Sequence, residues 1–90
     1  MLAVTSAEYV GGYRIRIAFN TGERGVVDLR EALWGPVFEP LTDTELFKRF
    51  KVSQTFHTLT WEGGADLAPE YLHEKMVEQA AATASHSTRR

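Results

Sequence analysis

The sequence predicts a small α+β domain, a mainly antiparallel sheet of four to five short strands with two helices. Three observations carry this. Ninety residues allow one domain around one core. Tyr13-Arg14-Ile15-Arg16-Ile17-Ala18-Phe19 alternates apolar and polar side chains, the period of a strand with one dry and one wet face. Further along, Leu46, Phe47 and Phe50, and then Leu72 and Met76, recur at helical spacing. Leu, Ile, Val and Phe make up 22 of the 90 residues. That is above the roughly 20% below which chains tend to stay disordered, so this one should fold. Residues 1–82 are expected to form the domain. No large apolar side chain follows Val77, so 83–90 are expected as a disordered polar tail.

Taken in order, Leu2 to Tyr9 mixes Val, Thr and Ala and reads as a first strand, ended by the turn pair Gly11-Gly12. The alternating segment follows, then Asn20-Thr21-Gly22 as a hairpin loop, then a third strand from Glu23 to Leu29. A three-residue loop sets Ile15 against Val27, Ile17 against Gly25 and Arg14 against Asp28. A two-residue loop would set Ile15 against Asp28, so the first register is preferred. Asp28 to Pro36 reads as one helical turn, with Asp28 as N-cap and Gly35-Pro36 as the stop. Val37-Phe38, boxed between Pro36 and Pro40, is expected to be extended. Thr42 and Glu45 have capping-box spacing and open a helix that turns Leu46, Phe47 and Phe50 inward. Phe56 to Trp61 reads as a strand with His57, Leu59 and Trp61 on one face. Glu62 to Ala65 is a turn, and Asp66-Leu67 a short return. Pro69 suits the first position of a last helix running to about Ala81.

Composition excludes several functions. A net charge of −2 is wrong for a basic nucleic-acid coat. Without cysteine there is no disulfide, thiol nucleophile, zinc finger or iron–sulfur site. Apolar runs of three or four residues give neither a membrane span nor a signal-peptide core, so a soluble, cytoplasmic protein is expected. No Gly-x-Ser-x-Gly, Ser-x-x-Lys, Walker loop or Gly-x-Gly-x-x-Gly is present, and Gly11-Gly12 and Gly63-Gly64 read as turns. The expectation is a protein that is not an enzyme and carries no cofactor or metal.

The remaining candidates are surfaces. Asp28 and Asp66 would do acid–base work only if they met in a cleft, and a cap and a turn explain them more simply. His57, His73 and His86 have no metal-ligand spacing, and His57 is better read as a partly buried strand residue. Arg14 and Arg16 lie about 7 Å apart on one strand face, with Arg24 across the hairpin. They could grip an acidic peptide or phosphate, against the plainer reading of a solvated face with Arg14 paired to Asp28. Glu70, Glu74 and Glu78, at i, i+4 and i+8, form an acidic ridge fit for a basic partner or simply a solvated helix face. Trp61 should be core. Trp34, beside Gly35-Pro36 and near Phe38, would anchor an interface if exposed.

The order of signals resembles a small bacterial family, domain of unknown function 2442. The segments that carry the likeness are Phe19-Asn20-Thr21-Gly22-Glu23, Val27-Asp28-Leu29, Gly35 to Leu41, Leu46-Phe47, Leu59-Thr60-Trp61 and Ala65 to Leu72, within about residues 2–75. The resemblance implies a small α+β fold with no established catalysis. It also implies relatives fused to a helix-turn-helix domain, or encoded beside a second small protein in a toxin–antitoxin-like pair. No helix-turn-helix pattern follows Leu72 in this sequence, which weakens a direct DNA-binding role. The expected function is therefore a non-catalytic protein-interaction or regulatory module. Its partner would be a small protein or, through a free sheet edge, a second copy. Partner-binding residues are sought among Trp34, Phe38, Arg14, Arg16, Glu70, Glu74 and Glu78. The alternatives are nucleic-acid-linked regulation through Arg14, Arg16 and Arg24, and an unrecognised enzyme using Asp28, Asp66 or His57.

Overall fold

The alternating segment forms the middle of a three-stranded antiparallel sheet: β1 (Val4–Gly11), β2 (Arg14–Phe19) and β3 (Arg24–Asp28), in that order. The computed structural model describes the backbone of residues 1–88 and the side chains of residues 1–82. The β2–β3 register is the one the hairpin loop predicts, with Arg14 opposite Asp28, Ile15 opposite Val27 and Ile17 opposite Gly25. Gly22 closes the loop at φ 94°, a conformation open to glycine at little cost, and its N–H donates to the Phe19 carbonyl at 3.0 Å. Ile15, Ile17, Phe19, Val27 and Leu29 are buried together, so the dry face of the hairpin becomes one wall of the core.

A second antiparallel sheet holds β4 (Lys51–Val52), β5 (Leu59–Thr60) and β6 (Asp66–Leu67). The fold class is the small α+β one expected, but among the described residues six strands in two sheets replace four to five in one. Strands of two residues carry no readable alternation. The strand expected from Phe56 is also shortened. The Ser53 hydroxyl oxygen accepts the N–H groups of Thr55 and Phe56, and the His57 N–H donates to the Ser53 carbonyl. This local turn outcompetes the ladder. His57 ends in the left-handed region at φ 57° and is exposed, not a half-buried strand residue.

The first helix, α1 (Thr44–Phe47), is a single turn capped by Asp43, whose carboxylate accepts the Glu45 N–H at 2.9 Å. Thr42 does not cap it. Its hydroxyl donates to the Glu39 carbonyl at 2.7 Å, within a 3₁₀ turn over Glu39–Thr42. Phe50 therefore lies beyond the helix, half-buried against the core. Another 3₁₀ turn, Arg30–Ala32, follows β3. Asp28 stands one residue ahead of its N-cap, Leu29, and accepts the Arg30 N–H at 2.9 Å. Val37-Phe38 is not extended. The Phe38 and Glu39 N–H groups both donate to the Gly35 carbonyl, at 3.2 and 2.8 Å, so the chain reverses there.

The second helix, α2 (Pro69–Thr88), begins at proline as expected and lays Leu72 and Met76 on the core. Its backbone runs on into the segment expected as a tail, 83–90, whose side chains, with all of 89–90, lie outside the described residues. A Cβ on Gly25 would stand 3.0 Å from both Met76 Cγ and Sδ, so the missing side chain lets α2 approach β3. At the centre sits Phe47, with the rings of Tyr13, Trp61 and Tyr9 at 5.5, 5.9 and 6.3 Å. The Trp61 indole N–H donates to the Phe47 carbonyl at 2.7 Å, and the buried Thr58 hydroxyl donates to the Leu67 carbonyl.

Candidate functional site

Trp34 is displayed by the turn that precedes it. The 3₁₀ turn buries Ala32 and Leu33, and Gly35 reverses the chain at φ 88°. Trp34 is left with 76% of its surface exposed, while Trp61 keeps 6%. Beside Trp34 lies a groove of about 390 Å³ lined by Ala32, Phe38, Leu67 and Tyr71 among others, with no charged side chain. Val37, 53% exposed, forms a ridge between this groove and a second of about 380 Å³ that reaches Leu46, Trp61 and Arg49. The first groove is apolar throughout, and the second carries Arg49 and Glu62 in its lining.

The other sequence candidates lie elsewhere. Arg14, Arg16 and Arg24 are exposed on the wet face of the first sheet. Arg16 is tied to Glu8 of β1 at 2.7 Å, a partner the hairpin register alone did not reveal. The Arg14–Asp28 alignment is present, but no ion pair joins them among the described residues. Asp28 turns its carboxylate to the Arg30 N–H instead. The Arg30 guanidinium stacks over the Tyr13 ring at 5.3 Å. Glu70, Glu74 and Glu78 are exposed along α2, with Glu78 3.4 Å from Lys75. The Glu78 carboxylate holds the Lys75 ammonium above its ordinary value. Asp28 in β3, Asp66 in β6 and His57 in the turn between β4 and β5 are all exposed. Among the described residues, no three His, Asp or Glu side chains gather as a metal site.

Two polar contacts were not foreseen. His73 Nε2 lies 2.8 Å from the Glu23 carboxylate, with its ring edge-on to Phe19, and the Thr21 hydroxyl donates to the same carboxylate at 2.9 Å. The hydrogen bond from His73, then that from Thr21, holds the Glu23 carboxyl below its ordinary value. The Gln79 carboxamide accepts the Asp28 N–H at 2.8 Å and donates to the Asp28 carbonyl at 2.9 Å. Both contacts fasten α2 to the first hairpin. Nothing in the local pattern marks them, because they depend on where α2 crosses β3.

Among the described residues, no helix is long and apolar enough to cross a membrane. No curated protein matches the chain. Among solved structures, it is similar to a protein of Nitrosomonas europaea ATCC 19718 described as a candidate DNA-binding protein, at 25% identity and a TM-score of 0.78. The match covers 90% of this chain and 52% of that one, so the chain spans about half the length of its relative. The model of the family described as "Protein of unknown function (DUF2442)" matches residues 4–78. On that match, over most of its length and with the fold to go with it, the chain belongs to the DUF2442 family.

Proposed function

We propose that this domain is a non-catalytic protein-interaction module that takes a small protein partner through the apolar groove at Trp34 and Phe38. The observation that carries this reading is Trp34, 76% exposed at the lip of an apolar groove. Exposed tryptophan beside a preformed apolar pocket is the usual anchor of a protein interface, since docking removes its ring from water with few rotors to fix. The finer form of the reading, one half of a toxin–antitoxin-like pair, rests on the family resemblance. A second reading, nucleic-acid-linked regulation through Arg14, Arg16 and Arg24, is favoured by the description of the Nitrosomonas relative. The net charge of −2 and the Arg16–Glu8 pair weigh against it.

The test is affinity capture of the tagged chain from lysate of its host, alongside a titration with labelled duplex DNA at rising salt. The expected result is a stoichiometric small protein that Trp34→Ala releases and Arg16→Glu does not. Retention of that protein by Trp34→Ala would overturn the reading. So would tight duplex binding that falls steeply with salt and is lost on Arg16→Glu, which would establish the second reading in its place.

A further inference from the structure

We propose that two copies of this chain pair through the outer edge of β3. In an antiparallel ladder, alternate residues aim their backbone groups at the neighbouring strand, and the others aim them away. The Leu29 N–H donates to the Tyr13 carbonyl and the Phe19 N–H to the Glu23 carbonyl, each at 2.8 Å. In this phase Val27 and Gly25 bond to β2, and the backbone groups of Arg24, Val26 and Asp28 face outward. At Asp28 those groups are held by the Gln79 carboxamide, which makes the two bonds that a residue of an adjoining strand would make. The helix α2 packs on the core face of β3 through Met76 and reaches the edge at Asp28 through Gln79. A groove of about 720 Å³ runs beside the edge, with Val26, Met76 and Val77 among its lining.

Charge selects the occupant. The strand reads Arg24-Gly25-Val26-Val27-Asp28, opposite charges placed symmetrically about Val26. A two-fold axis at Val26 sets each Val26, 41% exposed, against its equivalent and each Arg24 opposite the partner's Asp28. Registers centred on Arg24 or on Asp28 would bring like charges face to face. Arg24 has no ion-pair partner among the described residues of its own chain, and the dimer supplies one. Pairing requires Gln79 to release Asp28, so Gln79 competes with the second copy for the same backbone groups.

Sedimentation and light scattering across low to high micromolar protein test this. The wild type should shift from monomer to dimer as concentration rises. Arg24→Asp should weaken the dimer at least about tenfold by setting carboxylate against carboxylate at both symmetry-related contacts, and the exchange Arg24→Asp with Asp28→Arg should restore it. Val26→Pro should give a monomer with an unchanged circular dichroism spectrum, because the N–H it removes faces away from β2. Gln79→Ala should strengthen the dimer. A wild type that stays monomeric throughout, including one that binds another protein at this edge, overturns the proposal. So does a dimer indifferent to Val26→Pro, or a charge exchange that fails to rescue. Trp34→Ala should leave the dimer intact, so failure here and failure of the groove reading are separate results.

Discussion

Two stretches of this chain are equally rich in large apolar side chains and dispose of them in opposite ways. Between Tyr13 and Phe19 the backbone is a strand, and Ile15, Ile17 and Phe19 all disappear into the core. Between Leu33 and Phe38 the backbone reverses at Gly35, and only Leu33 is fully buried. Trp34 and Val37 point to solvent, with Phe38 half covered. A strand delivers every second side chain to one plane, so a single packing surface can cover them all. A tight turn fans its side chains through a wide angle, and no single surface can reach them. Apolar exposure here follows from backbone geometry, and it falls where the chain is held rigidly by a turn.

The contrast can be broken or sharpened by substitution. The largest effect should come from Phe47→Ala, which empties the centre of the packed region. It should cost about 3–5 kcal/mol in equilibrium urea unfolding, against less than about 0.5 kcal/mol for Trp34→Ala at the displayed turn. Comparable losses from the two would erase the distinction. Next in size is Gly25→Val. The new side chain must push Met76 aside, for about 1–3 kcal/mol, and adding Met76→Ala should recover part of that loss. Additive losses would show that α2 does not depend on this close approach.

The smallest effect is one of pH. Glu23 is a depressed carboxyl, held by His73 and Thr21 below the ordinary glutamate value of 4.5. Its contribution to folding is complete above that value and is lost as pH falls through the lowered one. Glu23→Gln should therefore flatten the acid limb of a plot of urea midpoint against pH. An unchanged limb would mean that this contact does not help to hold α2 on the hairpin.

The first hairpin was legible because three signals agreed there: strict alternation, a glycine in the loop, and a register that kept apolar against apolar. The second sheet was not, since two-residue strands such as Leu59–Thr60 are defined by their neighbours and not by their own pattern. The start of α1 lies one position later than the capping-box spacing implies, because Thr42 belongs to the preceding 3₁₀ turn, where its hydroxyl donates to the Glu39 carbonyl, and Asp43 is left to cap. For the candidate site, Trp34 and Phe38 could be picked out by their place around Gly35-Pro36. Which way Trp34 points depends on the 3₁₀ turn before it. Gln79 and His73 were invisible because their partners lie 51 and 50 residues away, and only the docking of α2 brings them together.

The opposite settings of the two tryptophans give the chain two internal optical probes. Trp61, enclosed and hydrogen-bonded to the Phe47 carbonyl, should emit to the blue and resist quenching by acrylamide until the core opens. Trp34 should emit to the red, quench freely, and change when a ligand covers its groove. Unfolding and docking would thus be read at different wavelengths in one unlabelled sample, each by a single indole.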